Sequence, residues 1–274
     1  MTRYLFGCLC VCALGAVPLI GCGDANGGGG GSGGSAGTGG VAEPVRVAFI
    51  GDSITERVGT VDDPVNYPEH LETLLGDDFD LGNFGYGGAT MSHGGGFFSY
   101  WNLPVYAEAK EFEADIATIM LGTNDTKPQV WDATAFESDY NDMIEELQDL
   151  PSNPTIVLLL PVPVFGDNEF DIRGDVLRDE VIPIIESLGA EYALDVVDLY
   201  TPLLNHGELF PDNLHPTAEG GLLIAQQLVA PLEAAAKARG FELADEEQHA
   251  ATRPQEAKHE VGPLRDAGAF EVQP

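Results

Sequence analysis

From Val45 onward, short apolar runs alternate with longer amphipathic stretches, and this alternation sets what the chain can fold into. Residues 45–50, 116–121, 155–160 and 194–199 read as buried strands, with 80–84 a weaker fifth. Between them, residues 67–75, 106–112, 134–150, 176–188 and 217–239 carry helical patterning. Pro68 and Gly76 punctuate the first helix at its start and end, and Pro183 predicts a kink or break in the fourth. Strands separated by helices call for a parallel sheet covered on both faces. The expected fold is a three-layer α/β/α sandwich on a five-stranded parallel sheet, in the flavodoxin-like order 2-1-3-4-5. In such sheets ligands bind at the carboxyl ends of the strands, so chemistry belongs directly after each apolar run.

The charge restricts partners. Forty-five acidic residues against 12 basic ones give a net charge of −33. Such a surface repels phosphate backbones, which argues against nucleic acid as a partner. A hydrophobic fraction of 44% is ordinary and supports a full core.

All four cysteines, Cys8, Cys10, Cys12 and Cys22, lie near the start. The domain itself therefore holds neither a disulfide nor a thiolate metal site. Arg3 followed by the 16-residue apolar run 5–20 has the build of a signal segment, too short for a membrane span. Leu19-Ile20-Gly21-Cys22 resembles the lipobox of bacterial lipoproteins, which implies acylation of Cys22 and membrane attachment, with an outer membrane favoured in a two-membrane bacterium. Asp24 to Gly40 is nearly all glycine and small polar residues, a flexible tether with a reach of roughly 25 Å. The expected organisation is a leader over 1–21, a lipidated cysteine and linker over 22–43, a catalytic domain over 44–240 and an acidic tail over 241–274.

Four segments at predicted strand ends carry the chemistry. Gly51-Asp52-Ser53 follows the first strand; a serine there becomes a nucleophile only if a base takes its proton and the oxyanion is stabilised. Of the six histidines, His215 stands apart, in Asp212-Asn213-Leu214-His215-Pro216 beyond the last strand. An aspartate three residues before a histidine can accept its Nδ1 proton and set the tautomer. Gly122-Thr123-Asn124-Asp125 places the Asn124 amide at the edge of the sheet. Gly85-Tyr86-Gly87-Gly88 offers a backbone N–H without a side chain in the way, at Gly88 or, one residue earlier, at Gly87. Gly33-Gly34-Ser35-Ala36-Gly37 matches a nucleophile elbow only in letters, since no strand precedes it. His93-Gly94-Gly95-Gly96 reads as a flexible loop at the cleft rim.

These segments, in this order, resemble the SGNH hydrolases, also called the GDSL family, over nearly the whole domain. The resemblance implies Ser53 as nucleophile, Asp212 and His215 as its partners, and Ser53, Gly88 and Asn124 as oxyanion donors. It implies acyl-ester hydrolysis without cofactor or metal. The continuation Asp125-Thr126-Lys127-Pro128-Gln129-Val130-Trp131 is similar to carbohydrate acetylesterases, including sialate O-acetylesterase-like proteins. If Trp131 lines the cleft its face stacks on a sugar ring, and otherwise it anchors the following helix; Lys127 is a candidate contact for an anionic sugar group, and Tyr100 and Trp101 are further rim candidates. No long apolar cap segment is present to shelter an acyl chain, which favours short acyl groups on small or polymeric sugars. The alternatives are a lysophospholipase or arylesterase of the same fold, and a non-catalytic glycan-binding surface lipoprotein.

Overall fold

The computed structural model describes residues 43–56 and 66–244. The predicted leader, Cys22, the glycine-rich tether and the tail beyond residue 244 lie outside the described residues. Five strands form one parallel sheet: β1 (Val45–Gly51), β2 (Phe79–Gly85), β3 (Ile116–Met120), β4 (Thr155–Leu160) and β5 (Asp195–Asp198), in the order β2-β1-β3-β4-β5. The expected topology is realised, with a switch in winding direction at β1, between β2 and β3. Central strands are buried on both faces, which is why they read as continuous apolar runs. Along β4, Val157 and Leu159 enter one core while Ile156, Leu158 and Leu160 enter the other.

The first core lies under α1 (Tyr67–Leu75) and α7 (Ala218–Ala238), and the second under α2 (Pro104–Glu111), α3 (Ala133–Gln148) and α5 (Ile182–Tyr192). Each fully buried Leu, such as Leu71, Leu188 or Leu228, stabilises this arrangement by about 1.5–3 kcal/mol in transfer terms. Short turns at α4 (Gly174–Val176) and α6 (Tyr200–Leu203) complete the helices used below. Gly76 ends α1 as expected, at φ 67°, and the structure adds a cap at its start, where the Asn66 side chain accepts from the Glu69 N–H at 3.1 Å.

The irregularity expected at Pro183 is present: a π turn over Leu177–Val181 separates α4 from α5, and Pro183 occupies the first turn of α5. Two other readings are corrected by packing. The weak strand at 80–84 is a full seven-residue β2, paired with β1 along its length. Phe241 and Leu243 pack against the first core, so the domain runs past residue 240.

Candidate active site

β1 ends at Gly51, and the chain turns at once: the Asp52 carbonyl accepts from Thr55 N–H at 3.2 Å and Glu56 N–H at 2.8 Å. Asp52 Oδ1 accepts from Ile54 N–H at 2.9 Å, so the buried carboxylate caps the turn that carries Ser53. Gly51 is needed here, because a Cβ would lie 2.0 Å from Thr55 Oγ1. Ser53 is left half-buried at the carboxyl edge of the sheet.

The chain returns to this edge at the loop before α7. His215 Nε2 stands 2.9 Å from Ser53 Oγ, and His215 Nδ1 stands 2.6 Å from Asp212 Oδ2. A carboxylate only accepts, so Nδ1 carries the proton and Nε2 is free to take one from Ser53. Asp212 Oδ1 also accepts from the backbone N–H groups of Leu214 and His215, at 3.0 and 2.6 Å. Partial burial alone would raise the Asp212 pKa; the His215 and Leu214 donors outweigh it and hold the carboxyl below its ordinary value. Asn213, at φ 67°, makes the bend between the two residues.

Three N–H groups belong to the loops that leave the strands at this edge. Asn124 is 5% exposed, and its Nδ2 donates to Asp52 Oδ2 at 3.3 Å, which fixes the amide and leaves its second hydrogen to point elsewhere. The Gly87 N–H is taken by Glu56 Oε2 at 2.5 Å. Gly88, at φ +80°, has no acceptor for its N–H among the described residues, and neither has Ser53. The geometry therefore favours Gly88 over Gly87 as the donor of this loop.

Two buried carboxylates hold these donors in place. Burial pushes the Asp52 pKa up to about 6, against the opposing pull of the Ile54 N–H and His215. Burial also raises Asp125, whose two oxygens accept from Met91 and Ser92 N–H at 2.9 and 2.8 Å and so tie the β3 loop to the β2 loop. Asp125 was visible only as part of a motif, and Glu56 carried no signal at all.

The predicted rim residues separate. Trp131 is half-buried against Phe136, with ring centroids 5.4 Å apart, and its Nε1 donates to Glu180 at 2.9 Å; it lies at the foot of α3. Tyr100 is not at the rim: it is fully buried and its hydroxyl donates to the Phe84 carbonyl at 2.5 Å. Trp101 is half-buried, donates to the Met91 carbonyl at 2.8 Å and stacks on His93 at 4.5 Å. The glycine run after His93 forms a 3₁₀ turn in which Gly95 sits where a Cβ would lie 1.8 Å from Thr90 Oγ1. Lys127 is half-buried; desolvation lowers its pKa, opposed by the carboxylates of Asp52, Asp125 and Asp171.

Two features lie outside the relay. His93, Asp139 and Asp142 bring one ligand atom each within 4.8 Å of one another, with Asp139 already accepting from the His93 backbone N–H at 2.7 Å. A depression of about 580 Å³ is lined by Asp167, Asn168, Asp171, Arg173, Arg178 and Tyr200 among others, but by neither Ser53 nor His215.

A parallel α/β sandwich with serine, imidazole and carboxylate linked in series, and with N–H groups on the strand-end loops that have no acceptor among the described residues, has the parts of an acyl-transfer centre. Residues 49–221 match the GDSL-like Lipase/Acylhydrolase family, and the chain belongs to that family of carboxylic ester hydrolases. It is 33% identical over 211 residues to an acetylxylan esterase of Xylanibacter ruminicola, covering 70% of this chain and 44% of that protein. The chain thus spans under half the length of that relative. A solved acetyl xylan esterase superposes with a TM-score of 0.56 at 21% identity, over 69% of this chain and 100% of its own. A carbohydrate acetylesterase family member from Sinorhizobium meliloti gives 0.54 at 18% identity, over 70% and 99%. Both likenesses show the fold.

Proposed function

We propose that this protein removes short acyl groups, acetyl above all, from sugar hydroxyls through an acyl-enzyme on Ser53. The 2.9 Å approach of Ser53 Oγ to His215 Nε2, with Asp212 behind the imidazole, carries the mechanism. His215 takes the Ser53 proton as Oγ bonds to the ester carbon, and Asp212 steadies the imidazolium. The oxyanion is received by the N–H groups of Ser53 and Gly88 and by Asn124. Collapse breaks the bond to the sugar oxygen, which leaves with the proton from His215. Water then repeats the sequence on the acyl-enzyme and releases the acid.

The preference for acetylated sugars rests on the likeness to an acetylxylan esterase. The test is hydrolysis of acetylated xylan and of p-nitrophenyl acetate against p-nitrophenyl octanoate. Activity on both acetates is expected, with a loss of about 10⁴-fold or more in kcat in Ser53→Ala at unchanged melting temperature. A preference for the octanoate would replace the sugar reading with a lipid one.

We also propose that the domain is exported and tethered through acylated Cys22. Cys22→Ser should abolish incorporation of labelled palmitate and release the protein from the membrane fraction; retention without label would refute the anchor.

A further inference from the structure

We propose that Phe170 is the platform on which the leaving sugar rests, a specificity residue for the alcohol half of the ester; this builds on the acetylesterase reading above. The Phe170 ring centroid lies 5.2 Å from that of His215, with the planes at 88°, and 42% of the residue is exposed. Isolated exposed apolar residues are common and need no explanation. Two observations set this one apart.

The first is its construction. Asn168 folds the segment around itself: its Oδ1 accepts from Phe170 and Ile172 N–H, both at 3.1 Å, and its Nδ2 donates to the Ile172 carbonyl at 2.9 Å and the Gly166 carbonyl at 3.3 Å. Ile172, 5% exposed, plugs the loop into the core. Both ends are then fastened to catalytic loops. Asn213, between Asp212 and His215, donates from Nδ2 to the Asp167 carbonyl at 2.7 Å and accepts on its own carbonyl from Phe165 N–H at 3.0 Å. On the other side, Arg173 N–H donates to Thr126 Oγ1 at 3.0 Å and its Nε to the Thr126 carbonyl, two residues from Asn124. An exposed aromatic ring is thereby held in register with both the base and an oxyanion donor. The ordering cost is met in the free protein, as expected of a recognition surface.

The second is the direction of the chemistry. When the tetrahedral intermediate collapses, the C–O bond to the alcohol breaks and that oxygen receives the proton from His215 Nε2. The alcohol oxygen must lie within hydrogen-bond reach of Nε2, so its carbon skeleton comes to rest beside whatever flanks the imidazole. Phe170 is that flank. A sugar ring presents a face of C–H groups that packs on an aromatic ring without needing charge. The oxyanion side has its own neighbour: a Cβ on Gly88 would lie 3.3 Å from Phe98. In deacylation the sugar has gone and water stands in its place, so Phe170 acts in the first half of the reaction only.

The experiment uses the full chain, with Phe170→Ala, Phe170→Leu and Phe170→Tyr, against an acetylated xylooligosaccharide and ethyl acetate. Both substrates form the same acetyl-enzyme and differ only in the alcohol. For Phe170→Ala, kcat/KM on the oligosaccharide should fall about tenfold or more, with less than about threefold change on ethyl acetate. Phe170→Leu should be intermediate and Phe170→Tyr near wild type. The breakdown rate of the acetyl-enzyme, followed after a burst with p-nitrophenyl acetate, should be unchanged in all three. An equal fall on both substrates would make Phe170 a support for His215 and overturn the proposal, as would an unaltered oligosaccharide rate. A wild-type enzyme inactive on every acetate ester would instead defeat the acetylesterase reading itself.

Discussion

Asp52 faces two demands that conflict. It is fully buried, yet it must hold both the serine turn and the Asn124 amide. Burial of its charge raises the pKa from 3.8 to about 6, so the folded protein holds this proton more tightly than the unfolded chain does. Stability from this group is therefore lost as pH rises from near 3.8 through 6, by about 3 kcal/mol in all. Asp52→Asn carries no charge at any pH. Its stability relative to wild type should climb between pH 4 and pH 7 by up to that amount, read from urea unfolding at each pH; a flat difference would mean that the carboxylate is not paying for burial. The gain in stability should come with a loss of rate, because the ionised acceptor that aligns Asn124 is gone. Asn124→Ala removes the donor itself, and kcat should drop about 10²- to 10³-fold with little change in KM.

Among the elements, α7 contains the feature that sequence patterning most readily overlooks. Pro231 lies inside this 21-residue helix. It donates no hydrogen bond to the Gln227 carbonyl, on a turn whose residues 226 and 227 are exposed, so water can reach the group left open. Proline in a helix interior costs about 3 kcal/mol relative to alanine. Pro231→Ala should therefore raise the unfolding free energy by about 1–3 kcal/mol, measured by thermal melting, the lower figure applying if the ring packs well; a fall would show that packing dominates. The elements legible in advance were those whose signal is local. Buried parallel strands announce themselves as apolar runs, as at 155–160, and Pro68 and Gly76 delimit α1 by their own chemistry. β2 read weakly because Asp80, Gly82 and Asn83 interrupt it, and pairing with β1 overrides their propensity. The serine, histidine and asparagine segments were readable because each follows a strand. The supporting groups were not: Glu56 meets Gly87 across 31 residues, and Asn213 meets Asp167 across 46. Such contacts exist only once the sheet has brought its loop ends together.

At the scale of the whole molecule the dominant fact is the charge of −33, which 12 basic residues cannot offset. Several of those bases are already committed: Arg46 to Asp80, Lys110 to Glu146, Arg178 to Asp179 and Arg239 to Asp115. A field of this sign repels anionic substrates on approach and is screened beyond about 10 Å at 0.1 M salt. Lys127 is one cation placed to reverse this locally, but it stands among the carboxylates of Asp52, Asp125 and Asp171, which already draw on its charge. The two influences give opposite salt dependence. If the global field governs, kcat/KM for an acetyl ester on a uronic acid should rise as NaCl is raised from 20 to about 500 mM, while that for a neutral acetylated xyloside stays flat. If Lys127 receives the anion, the charged substrate should instead bind best at low salt, and Lys127→Ala should erase that advantage. The crowding of Lys127 by three acids favours the rising slope, and within the proposed function it favours neutral over anionic acetylated sugars.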